Sequence, residues 1–108
     1  MSEAIVVFMT AATADEARRI AARLIETQLA ACVQILPEIE SVYRWKNEVQ
    51  HEKEVLLLVK TSADRFDNLE KEVRAMHSYE TPEIVAVPVR GISEPYRLWL
   101  LDSIASNS

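Results

Sequence analysis

Along this chain the spacing of apolar residues shifts between two and about 3.6, and each shift marks an element. Residues 4–10 (AIVVFMT) are an apolar run of six closed by Thr10 and rich in β-branched side chains, which predicts a strand covered on both faces. Thr13-Ala-Asp-Glu16 then fits a capping box, with the Thr13 hydroxyl accepting from the Glu16 amide and Glu16 reaching back. Ala17, Ile20, Ala21 and Leu24 follow at helical spacing, with Asp15, Arg18, Arg19, Arg23 and Glu26 opposite them, so a helix of about four turns is expected.

From Ala31 the period becomes two. Ala31, Val33, Ile35, Ile39, Tyr43 and Trp45 share one parity; Cys32, Gln34, Glu38, Glu40 and Arg44 share the other. This predicts a long strand in which Pro37 marks a bulge or break. After a turn at Lys46-Asn47-Glu48, Val49, His51, Lys53, Val55, Leu57 and Val59 alternate again. The pair reads as a hairpin whose return arm enters the centre of the sheet. Thr61-Ser-Ala-Asp64 opens a second helix with Phe66, Leu69, Val73 and Met76 on its apolar stripe. Residues 77–83 (HSYETPE) form a loop, residues 84–89 a last strand whose Pro88 suits an edge, and Ser93-Glu94-Pro95 the start of a third helix carrying Tyr96, Trp99, Leu100 and Ile104. The order β-α-β-β-α-β plus a helix predicts an α+β, ferredoxin-like split βαβ sheet with an extra C-terminal helix and a long hairpin between its second and third strands. Both main helices are expected on one face. At 108 residues the chain makes a single domain, 1–108.

The first helix is about 21 Å long, whereas the return arm Val49–Val59 spans about 37 Å. The hairpin therefore overhangs its covering layer and carries Tyr43 and Trp45 with it. Unpaired aromatic strands aggregate unless a neighbour covers them, so a homo-oligomer is expected. Composition narrows the function. Acidic residues exceed basic ones, 17 to 12, for a net charge of -5. The one basic cluster, Arg18, Arg19 and Arg23, is a solvated helix face, which argues against nucleic acid as a partner. The longest apolar run is six residues, far short of a bilayer span of about 20, so no membrane role is expected. A lone cysteine and an N-terminus without a basic leader predict a cytoplasmic chain.

No glycine-rich phosphate loop and no Cys-x-x-Cys pair is present, and no catalytic set can be read from spacing; the chain is expected not to be an enzyme. His77, at the end of the second helix, admits two roles: a partner for the helix dipole, or a ligand for a soft metal, since imidazole and thioether together suit copper. Met76 and Met9 would supply thioethers; as members of apolar stripes they equally suit the core. Cys32 is either a small core residue or a metal thiolate, and His51 a solvated rim residue. Tyr79, Glu80, Thr81 and Glu83 put two carboxylates, a phenol and a hydroxyl in one short loop. A polar ligand cleft is expected around Trp45, Lys60, Tyr79 and Glu80, with Trp45 arriving from an adjacent subunit.

The strings LAACVQILP (29–37), SVYRWKNEV (41–49), EVLLLVKT (54–61), HSYETPEIVAVPV (77–89) and YRLW (96–99) resemble the CutA divalent-cation tolerance family over nearly the whole chain. The resemblance implies a ferredoxin-like subunit, a homotrimer built through the long hairpins, and cytoplasmic tolerance of copper and other divalent cations without a defined reaction. It supports His77 as a metal ligand, helped by Met76, Met9 or Cys32, with copper, cuprous rather than cupric, as the ion. Cys32 matches the family cysteine. Departures are Ser78 where the family usually has Pro, Gln34 for Asn, Asn47 for Gly, and Met9 and Met76 where some members carry Cys and His. Two further readings are a PII-like trimer that binds a small molecule between subunits and a non-catalytic scaffold for a partner protein.

Overall fold

The computed structural model describes residues 3–105. Its elements are β1 (Ala4–Ala11), α1 (Ala14–Glu26), β2 (Cys32–Trp45), β3 (Glu48–Ser62), a 3-10 turn (Ala63–Arg65), α2 (Phe66–Met76), β4 (Ile84–Pro88) and α3 (Glu94–Ser103). The sheet runs β2-β3-β1-β4 and every neighbouring pair is antiparallel. β3 thus slots between β1 and β2, the split βαβ arrangement, and β4 is an edge as Pro88 requires.

Strand alternation sets the layers. Val7, Met9, Leu57 and Val59 are fully buried and share one core with Ala17, Ile20 and Leu24 of α1 and Leu69 and Val73 of α2. Both main helices therefore cover the same sheet face. The alternate residues Val6, Phe8, Leu56 and Leu58 are only half-buried, and Leu36, Val85 and Val87 are exposed. This second face has cover at one end alone, where Leu100 and Ile104 from the α3 region pack with Ala4. The double-sided apolarity of residues 4–10 is correct as chemistry, but within one chain only one side is closed.

The hairpin turns on Lys46 and Asn47, both at positive φ (50° and 67°). Two such residues make the turn whose twist matches the strands, and Asn tolerates that conformation better than most side chains. At Pro37 the expected bulge is present: the register slips between Leu36 and Ile39. Its effect exceeds a local kink. Val33 and Ile35 pair with Val59 and Leu57, whereas Ile39, Tyr43 and Trp45 pair with Glu54, Gln50 and Glu48. A slip of one residue moves every later side chain to the other face. The single apolar stripe read along β2 is therefore split between two faces of the sheet.

Candidate functional site

At the hairpin end of the sheet lies a cavity of about 690 Å³, lined by Thr10, Ser41, Val42, Tyr43, Trp45, Lys46, Glu54, Tyr79, Glu80, Thr81 and Glu83. β1 supplies Thr10, the bulge turns Ser41, Tyr43 and Trp45 to the face of Glu54, and the loop after α2 supplies the rest. The Tyr79 hydroxyl donates to Glu54 Oε2 at 2.8 Å. Burial pushes the Tyr79 phenol well above its ordinary range, and the Glu54 carboxylate it bonds adds to the shift. Partial burial also raises Glu83, with the charge of Glu54 as the second cause.

The loop is held in place from beneath. Glu16 is buried and its Oε1 accepts from the Ala12 amide and from the Ser78 hydroxyl, both at 3.0 Å. Its Oε2 accepts from the Ser78 amide at 2.7 Å. Half of the expected capping box forms, with Thr13 Oγ1 accepting from the Glu16 amide; the returning carboxylate takes the Ala12 amide in place of that of Thr13. The Glu16 carboxylate goes further, joining the start of α1 to the end of α2. Burial alone would raise its pKa; the hydrogen bonds from Ala12 and Ser78 outweigh that and hold it below the ordinary value.

The His77 side chain is fully buried. Its Nδ1 accepts from the Tyr79 amide at 3.0 Å, and its Nε2 lies 2.7 Å from the Thr10 carbonyl oxygen. A carbonyl only accepts, so Nε2 carries the proton and Nδ1 does not. This neutral imidazole has no free lone pair for a metal. Met9 is fully buried in the helix-side core and Met76 packs against it, as the core alternative for both had it. Cys32 is partly buried and pairs with Lys60, which also faces Val6. Thr10, at His77, is about 13 Å farther along β1 than Val6, so Cys32 does not join His77, Met76 and Met9. Among the described residues no group of three or more His, Cys, Asp or Glu is placed to hold a metal. The residues present do not form a closed copper site within one chain.

The expected cleft is present in part. Trp45, Tyr79 and Glu80 line one cavity, and the chain's own Trp45 reaches it without a neighbour's hairpin. Lys60 does not: it lies six residues from Glu54 on an extended strand, about 20 Å away, with its Nζ 5.5 Å from the Tyr96 ring centroid. The residues missed from sequence are Glu54, Tyr43 and, beneath the loop, Glu16; Glu83 belongs to the acidic loop already singled out. Glu54 gave one signal, a carboxylate set directly against the apolar run VLLLV.

Residues 5–103 match the family model described as CutA1 divalent ion tolerance protein. The chain belongs to this family. Among its relatives is the divalent-cation tolerance protein CutA of Thermus thermophilus, 45% identical over 91% of this chain and 95% of its own. The structure of that organism's protein superposes with a TM-score of 0.90, covering 93% of this chain and 97% of that one at 44% identity. The structure of the periplasmic divalent cation tolerance protein CutA from Archaeoglobus fulgidus gives 0.92 at 36% identity, covering 94% and 99%. The chloroplastic protein CutA 1 of Oryza sativa is 42% identical over 92% of this chain. This chain spans 56% of that plant relative's length. The CutA relatives thus occur under both periplasmic and chloroplastic names, and the family fold does not fix a compartment. No helix among the described residues is long and apolar enough to cross a membrane.

Proposed function

We propose that this chain acts as a non-catalytic, cytoplasmic homotrimer in divalent-cation tolerance, and that its contact with copper is weak and transient. The observation that carries the trimer is the sheet face left half-covered: Val6, Phe8, Leu56 and Leu58 are half-buried and Leu36, Val85 and Val87 exposed. A contiguous apolar face of this kind marks an interface. The overhanging hairpin is exposed as well, with Val42 58% and Val49 55% exposed on its opposite face. Copies of this chain are the partner that family membership favours; the number three comes from the family resemblance.

Weak copper binding agrees with His77. A cuprous ion gains that imidazole at Nδ1 only by displacing the Tyr79 amide, which costs about one hydrogen bond, roughly 0.5–1.5 kcal/mol. Light scattering at low micromolar concentration tests the trimer, with three subunit masses expected and a monomer overturning it. Calorimetric titration with cuprous and cupric ions tests the metal. Cuprous binding that weakens at least tenfold in His77→Ala supports the assignment; unchanged affinity removes His77 from it.

A further inference from the structure

The cleft sets three carboxylates, Glu54, Glu80 and Glu83, against a single cation, Lys46. Glu54 is only 8% exposed, yet among the described residues its carboxylate is bonded by a phenol alone, that of Tyr79, through Oε2. None of the ion pairs among the described residues includes Glu54, Glu80 or Glu83. A buried carboxylate without a cation is costly, and here it opens onto a cavity of about 690 Å³. The carboxylates are not grouped closely enough to ligate one inorganic ion. The rest of the wall combines the rings of Tyr43, Trp45 and Tyr79 with Thr10, Ser41, Val42, Thr81 and one cation, Lys46. Ring faces attract an ammonium within about 6 Å of the centroid, and Lys46 already sets its own Nζ 6.0 Å from that of Trp45. Spread carboxylates, π faces and several hundred cubic ångströms suit a charge attached to carbon rather than a bare ion.

We infer that this cleft binds a small organic cation bearing a primary ammonium or guanidinium group, with Glu54 accepting its N–H and Trp45 and Tyr43 covering its alkyl portion. Glu54 Oε1 is the acceptor left over, and an N–H donor uses it where a quaternary ammonium does not. Glu80 and Glu83 at the exposed mouth raise the local concentration of cations. The inference goes beyond the metal-tolerance reading and does not rest on it.

The test is fluorescence titration of the full chain carrying Trp99→Phe, which leaves Trp45 as the reporter. The probe is putrescine, with butane-1,4-diol as its uncharged counterpart and manganese(II) as an inorganic dication, all at constant ionic strength. A saturable change with putrescine alone, weakened at least tenfold by Glu54→Gln, supports the inference. No saturation into the millimolar range overturns it, as do an equal response to the diol, a response to manganese(II) only, or an unchanged response in Glu54→Gln. Should Glu54→Gln fail to fold, Glu80→Gln with Glu83→Gln, both at exposed positions, takes its place: at least threefold weakening supports the site and an unchanged curve overturns it. Failure of the copper titration leaves each of these outcomes readable.

Discussion

Ser78 shows how much one residue decides here. Its amide and its hydroxyl both donate to Glu16, and a proline at this position offers neither. The backbone of His77 is already extended (φ -79°, ψ 143°), so it accommodates a following proline without a clash. Ser78→Pro is therefore expected to fold and to lose about 1–3 kcal/mol, because Glu16 is left buried with fewer donors. Urea unfolding at pH 7 measures it. The same carboxylate makes stability depend on acid. Its folded pKa is depressed, so its contribution is complete above its ordinary value near 4.5 and is lost as pH falls through the lower folded value. Unfolding free energy should fall on acidification below about pH 4.5. In Glu16→Gln that fall should be shallower, and stability at pH 7 lower than in the parent; an identical acid limb would remove Glu16 as its source.

Among the elements, the hairpin joins core to cleft. The inner half of β3 buries Val55, Leu57 and Val59, while Glu54, one step outward, faces the cavity. Tight pairing out to Trp45↔Glu48 keeps Trp45 over the cleft, and that pairing depends on the two-residue turn. Positive φ costs an L-residue about 1–2 kcal/mol and a β-branched one most. Asn47→Ile is expected to destabilise by about that amount and to blue-shift or red-shift Trp45 emission as the tip frays, whereas Asn47→Gly should preserve the emission. Thermal melts and emission spectra of both variants check this.

For the whole molecule, the determining feature is a sheet finished on one side only. With extents of 45 × 28 × 22 Å, the chain is elongated along a hairpin that its helices do not reach. If copies of the chain close the second face, stability includes association, and the melting temperature rises with protein concentration. Leu58→Glu places a charge on that face without touching the helix-side core. It is expected to give monomers by light scattering with helical content retained; trimers in that variant would show that the interface lies elsewhere.

Hydrophobic spacing by itself determined the order of elements, the two helices on one face, the edge position of β4, the bulge near Pro37 and the Lys46-Asn47 turn. These follow from local periods and from backbone preferences of single residues, which neighbours in sequence already contain. Tertiary structure alone decided which side chains meet. The one-residue slip after Leu36 turned Tyr43 and Trp45 away from the face of Val33 and Ile35, a change invisible to parity counted straight through the strand. Register put Lys60 and Cys32 at the far end from Tyr79. The fold also spent both nitrogens of His77 on the backbone and brought Glu54 to Tyr79 across 25 residues. Composition shows which donors a chain owns; only packing shows which lone pairs remain free.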